Sequence, residues 1–140
     1  MSGAFLEDLE VGQSAELTRT VAAGDLTAFA AVTGDDNPLH LDEAYAAATP
    51  FKGRIAHGML SAGYISAVLG TKLPGPGAIY VSQTLGFRRP VRIGDAVTAK
   101  VTVAAIDSAR GRATFATEAR VAGKVVVEGE AVVAPPRRPA

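Results

Sequence analysis

The stretch His57-Gly58-Met59-Leu60-Ser61-Ala62-Gly63-Tyr64-Ile65-Ser66-Ala67-Val68-Leu69-Gly70 decides the fold. From residue 58 to residue 70 it holds no charged side chain, and its apolar residues fall on every side of a helical wheel instead of one stripe. A helix that is apolar all round is a buried helix. At about 1.5 Å per residue it is roughly 20 Å long, too short for a bilayer whose core takes about 20 apolar residues. Gly63 weakens the helix slightly and lets a neighbouring strand come close. The rest of the chain has to supply a cover for it.

The cover lies downstream. After the loop Leu73-Pro74-Gly75-Pro76-Gly77 the pattern changes to strands over residues 78–88, 95–106, 112–121 and 124–133, the last two joined by Ala122-Gly123 in a hairpin. Sequential strands with short links mean an antiparallel sheet, here a four-strand meander. Upstream, residues 13–21 alternate apolar and polar and form a first strand. Asp25 is a candidate N-cap for a helix over residues 26–32, and Asp42 for a short helix over residues 43–48. Residues 51–56 are irregular, with Lys52 and Arg54 giving them a basic edge. Residues 1–13 are a lead-in anchored by Phe5 and Leu9, and the tail 134–140, with three prolines and two arginines, is expected to be flexible. The layout is α+β. A curved antiparallel sheet wrapped around the buried central helix, with a second copy shielding the rest, is a hot-dog fold. Residues 1–140 then form a single domain that assembles as a homodimer.

Composition narrows the function. The chain has 140 residues, 48% hydrophobic, with 14 basic and 14 acidic residues in balance. That suits one domain with a real core, and it lacks the basic excess of a nucleic-acid binder. There is no cysteine, hence no disulfide framework, thiolate metal site or thiol nucleophile, which fits a cytoplasmic location. Residues 1–10 carry three acids and no long apolar run, unlike a signal peptide, and no membrane span is expected.

The chemistry concentrates in Gly34-Asp35-Asp36-Asn37-Pro38-Leu39-His40. Two acids and one of the chain's two histidines share seven residues otherwise made of turn formers. Asn-Pro forces a turn or an extended step. A tight loop of this kind aims a carboxylate and an imidazole at one point, where a water between them meets two groups able to take or return a proton. The plainer alternative is a surface turn, with an Asp capping backbone amides and His40 solvated.

Gly34-Asp35-x-Asn37-Pro38-Leu39-His40, followed by His57-Gly58-Met59 opening a buried helix, resembles the MaoC-like (R)-specific enoyl-CoA hydratases of the single hot-dog type. The resemblance continues through Leu73-Pro74-Gly75-x-Gly77-x-Ile79-Tyr80, Phe87 with Pro90-Val91, and Gly94-Asp95-x-Val97. It implies reversible syn hydration of trans-2-enoyl-CoA to (R)-3-hydroxyacyl-CoA with no metal or other cofactor, coenzyme A being part of the substrate. It also implies that Asp35 and His40 activate one water: His40 takes its proton as it attacks C3, and Asp35 helps return a proton to C2. The backbone N–H of Gly58 becomes the oxyanion donor.

The Gly58 role makes physical sense, because adding water to an enoyl thioester pushes charge onto the thioester oxygen. An unpaired amide at a helix N-terminus stabilises charge there. Glycine lets a ligand approach the backbone. Asn37 and His57 fall on the substrate side, His57 orienting the loop by hydrogen bonding, while Asp36 is a solvated or capping acid. Ser66 and Leu69, about two and three turns down the helix from Gly58, are candidates for the end of an acyl tunnel that suits short or medium chains. Lys52, Arg54, Lys72, Arg88, Arg89 and Arg92 are candidates for the coenzyme A phosphates. A metal held by His40, His57 and the acids is disfavoured by their spacing. Two alternatives use the same fold. A thioesterase needs an acid or glutamine on the central helix, and residues 58–70 have none; a non-catalytic acyl-CoA binding subunit needs no Asp/His pair.

Overall fold

The computed structural model describes residues 2–140. In chain order the strands are β1 (Ser14–Thr20), β2 (Ile79–Gln83), β3 (Gly86–Phe87), β4 (Ala96–Asp107), β5 (Arg112–Val121) and β6 (Lys124–Ala134). The helices are α1 (Ala23–Thr33), α2 (Pro38–Leu41), α3 (Glu43–Ala47) and α4 (Gly58–Thr71), preceded by a 3-10 turn at Leu6–Asp8. All the strands belong to one antiparallel sheet of order β1-β4-β5-β6-β2, with β3 also paired to β6.

The period-two alternation of the long strands sends one set of side chains toward α4. On β4 these are Val97, Ala99, Val101 and Val103, and on β5 Ala113, Phe115, Thr117 and Ala119, all buried. Alanine and valine keep this concave face shallow, so the helix settles into it and buries Ser61, Ala62, Ile65, Val68 and Leu69. Helix α4 packs on β4, β1, β5 and β6. This is the hot-dog arrangement, with the sheet curved around the central helix. Ala122 and Gly123 both have positive φ, 50° and 79°, which closes the β5–β6 hairpin with the twist its strands require.

The structure departs from the sequence reading in four places. Residues 78–88 form two strands because the ladder to β6 breaks at Thr84, whose hydroxyl accepts the Glu130 N–H at 3.0 Å and whose carbonyl lies so near Gly129 that a Cβ there would come within 1.8 Å of it. The four strands are not a simple meander. β2 and β3 pair with β6, and the place beside β4 goes to β1. The segment between β3 and β4 causes this, since it pairs with the approach to α4 (Ala56 N–H to the Val91 carbonyl, 2.7 Å) instead of closing a hairpin. Asp25 is not the N-cap of α1. The cap is Ala22, and Asp25, three residues in, accepts the Ala22 N–H at 2.8 Å. Residues 38–41 are a helical turn where a plain loop was expected.

Leu9 is buried as anticipated, together with Leu6, while Phe5 is half-buried beneath the Arg138 guanidinium. The Pro136 carbonyl accepts the Leu6 N–H at 2.8 Å, so the chain after β6 runs beside the N-terminal turn. No described helix is long and apolar enough to cross a membrane. The sheet covers one side of α4. Met59, Gly63, Ser66 and Gly70, at helical spacing, form an open stripe on the other.

Candidate active site

Helix α1 ends on Gly34, whose φ of 82° is the left-handed conformation that a helix C-terminus favours and that glycine adopts at no cost. The chain turns at once into Asp35. The Asp35 N–H donates to Thr33 Oγ1 (3.1 Å), and Asp35 Oδ1 accepts the Asn37 N–H (3.3 Å). Asn37 then caps α2 by accepting the Leu39 N–H at 3.0 Å, and Pro38 fits the first helical position, where a missing N–H goes unnoticed. One turn later His40 points inward and is buried.

Two partners that carry no signature in the sequence fix His40. Its Nδ1 pairs with the Ile55 carbonyl at 2.7 Å, and Arg54 Nε donates to the His40 carbonyl at 2.6 Å. A carbonyl only accepts, so Nδ1 bears the hydrogen and Nε2 keeps a free lone pair. The segment carrying Arg54 and Ile55 is pinned in turn by Arg92, whose Nη2 donates to the Phe51 carbonyl at 2.5 Å. His57, the residue before α4, is 2% exposed and pairs through Nε2 with the Asp35 carbonyl at 3.0 Å. Its ring stacks on that of His40, centroids 3.9 Å apart.

Asp35, His40 and His57, separated by up to 22 positions, thus offer donor atoms that all lie within 4.8 Å of one another. The acid is exposed and the imidazoles are buried. A cavity of about 550 Å³ opens beside them, lined by His40, His57, Gly58, Ser61, Phe87 and Arg89 among others. Gly58 begins α4, so its N–H has no intrahelical acceptor, and no described backbone carbonyl takes it. A Cβ on Gly58 would lie 2.6 Å from the Phe87 ring.

A free imidazole lone pair and an unpaired helix amide on one cavity, with a carboxylate outside its lining but within 4.8 Å of the imidazoles, are equipment for proton transfer coupled to charge build-up on an oxygen. The same trio suits a metal less well. The nitrogen that His57 leaves free of the Asp35 carbonyl, Nδ1, is buried without a partner, so the trio offers two donors where a zinc site takes three or four.

The other sequence candidates scatter. Asn37 spends its side-chain oxygen on the α2 cap. Ser66 is exposed and lines a separate groove with Met59, Gly63 and Tyr80, while Leu69 is buried in the core. Of the six basic candidates only Arg88 and Arg89 line the cavity. Arg54 and Arg92 hold backbone carbonyls, Lys72 donates to the Glu16 carbonyl, and Lys52 is exposed. Phe87 and Ser61 were not anticipated as cavity residues. Ser61 had a faint signal, since it lies one helical turn from His57 and shares its face.

Residues 7–126 match the family model described as a MaoC like domain. The (R)-specific enoyl-CoA hydratase of Rhodospirillum rubrum is 58% identical over 134 residues, covering 96% of this chain and 93% of its own. The 3-hydroxybutyryl-CoA dehydratase of Methylorubrum extorquens is 54% identical, with 96% and 85% covered. Among solved structures, the unliganded R-hydratase PhaJ1 from Pseudomonas aeruginosa superposes with a TM-score of 0.92 at 51% identity, covering 97% of this chain and 88% of its own. The R-hydratase of A. caviae involved in PHA biosynthesis gives 0.90 at 48%, covering 93% and 99%.

Proposed function

We propose, from the premise that the chain belongs to the MaoC-like family, that Asp35, His40 and the Gly58 amide carry out an (R)-specific hydration of enoyl-CoA. The enzyme adds water across the C2=C3 bond of a trans-2-enoyl-CoA to give the (R)-3-hydroxyacyl-CoA, and runs the dehydration in reverse. The single observation that carries the assignment of roles is the convergence of the Asp35, His40 and His57 donor atoms within 4.8 Å of one another, beside the unpaired N–H of Gly58.

The steps follow from the atoms. A water between Asp35 and His40 loses its proton to the free Nε2 of His40 as its oxygen bonds to C3. The π electrons move through C2 onto the thioester oxygen, where the Gly58 N–H and the positive end of the α4 dipole receive the charge. The enolate collapses as the proton held on His40 passes to C2 by way of Asp35, which restores the thioester and leaves both side chains as they began. Water's hydroxyl and hydrogen end on C3 and C2. No electron leaves the substrate, so the reaction calls for no redox cofactor. Arg88 and Arg89 at the cavity suit the coenzyme A phosphates, and Asn37 acts on the site through the α2 cap. The acyl-tunnel roles of Ser66 and Leu69 belong to this proposal only as positions further along α4.

The working unit in this reading is a homodimer of single-domain chains in the cytoplasm. Exposed Met59, Ile79, Tyr80 and Val81 around the open stripe of α4 are the apolar surface a second copy would cover.

Loss of the conjugated enoyl-thioester absorbance on mixing the protein with crotonyl-CoA, with the product's chirality determined, tests the reaction. Rapid loss giving the (R)-alcohol is expected. Release of free thiol with no loss of the double bond would move the assignment to a thioesterase.

A further inference from the structure

We infer that His57 is a positioning residue with a fixed tautomer, which ties the acid–base loop, the His40 ring and the helix end bearing Gly58 into one unit. This rests on the roles proposed above for Asp35, His40 and Gly58, and adds the side chain that sets their mutual distances.

The tautomer follows from the partners. Nε2 faces the Asp35 carbonyl at 3.0 Å, and a carbonyl only accepts, so Nε2 carries the hydrogen. Nδ1 is then the bare nitrogen. It is buried and has no hydrogen-bond partner in the protein. In the other tautomer Nδ1–H would have no acceptor and the Asp35 carbonyl would lose its donor. His57 is therefore not a second base competing with His40, because its free lone pair is shut away from the cavity while His40 keeps its own free nitrogen on Nε2.

Three attachments converge on this one residue. Its N–H holds the backbone of Asp35, 22 positions away. Its face lies against the His40 ring at 3.9 Å and the Phe29 ring at 4.5 Å. Its own backbone is the N-cap of α4, one bond from the Gly58 amide. A buried acceptor left without a partner opposes stability, and a phenyl ring would fill the same space without that cost. The Nε2–H hydrogen bond to the Asp35 carbonyl offsets that cost, and what an imidazole supplies here that a phenyl ring cannot is the N–H that orders Asp35.

The test compares His57→Phe and His57→Gln with the parent, with Asp35→Asn and His40→Ala run in the same buffers. Turnover of crotonyl-CoA, calorimetric affinity for unreactive butyryl-CoA and thermal midpoint are measured, and a long-range 1H–15N spectrum of the parent reads the tautomer. His57→Phe is expected to bind butyryl-CoA like the parent and melt no lower, while kcat falls about 10- to 100-fold, the scale of a misplaced catalytic group. His57→Gln, which keeps an N–H for the Asp35 carbonyl, should recover part of that loss, and the spectrum should show hydrogen on Nε2 alone. Full kcat in His57→Phe, a loss confined to KM, or hydrogen on Nδ1 would overturn the inference. Should the phenyl variant fail to fold, the spectrum and the glutamine variant decide. If Asp35→Asn and His40→Ala are inactive while His57→Phe is fully active, only this inference falls. Full activity in those two brings down the catalytic reading itself.

Discussion

Gly58 bears two constraints at once, since its amide must face the cavity and its missing side chain leaves room for the Phe87 ring. Gly58→Ala keeps the N–H but sets a methyl 2.6 Å from that ring, so either the ring or the helix end must shift. A fall in kcat/KM of about 10- to 100-fold toward crotonyl-CoA is expected, as for other small misplacements of catalytic groups. Phe87→Ala on the same chain should restore part of it. If the double variant is no better than the single, the obstruction lies elsewhere. At this scale much of the candidate site was legible in the sequence, because His40, Gly58 and Asp35 stand beside turn formers and a helix start. It could not reveal the Ile55 carbonyl or the Arg54 guanidinium on the His40 backbone, because a backbone acceptor has no side-chain identity to read. Nor could it show that a stack holds His57 to His40, since chain distance carries no record of which rings meet.

Helix α2 shows how little secondary structure is needed to aim His40, the base in the proposed mechanism. It has four residues, and the Asn37 cap and the proline at its first position account for its existing at all. Asn37→Ala should cost about 1 kcal/mol of stability, the usual worth of a cap, and lower turnover as His40 loses its mount. Asn37→Asp keeps an accepting oxygen and should retain both. Chemical denaturation alongside kcat checks the pair, and an alanine variant as stable and active as the parent would show that the cap does not set His40. An asparagine followed by proline reads equally as a turn, and so short a segment leaves no hydrophobic period to mark it as a helix, so residues 38–41 read as a loop. The long strands were legible because alternation records one buried face. The split between β2 and β3 was not, because it depends on how closely Thr84 approaches Gly129, a contact across 45 positions. The order of strands was hidden for a related reason. The link from β3 to β4 is spent on the approach to α4, and length alone does not say which edge a strand joins.

On the scale of the molecule, the central helix is the feature that the sequence read most directly and the isolated chain leaves half covered. Its open stripe faces a groove shared with Tyr80, Val81 and Gln83. Partial burial pushes the Tyr80 phenol above its ordinary value, and its hydroxyl donates to Gln83 Oε1 beside the groove. Gly63 tests whether a second copy fills the space. A Cβ there meets nothing within 4 Å, and any residue but proline suits a helix interior better than glycine. Gly63→Arg should therefore fold as well as the parent yet sediment as a monomer, with lower activity; sedimentation as a dimer would place the interface on another surface. The central claim is that Asp35 and His40 together handle the proton of one water. Its most direct test is turnover of crotonyl-CoA by Asp35→Asn, read against affinity for butyryl-CoA. The amide leaves the backbone carbonyl on His57 and the size of the side chain intact but can no longer return a proton. Turnover should fall by about 10²- to 10⁴-fold with affinity unchanged, as expected for loss of a general acid–base group. Near-parental turnover at unchanged affinity would contradict the account.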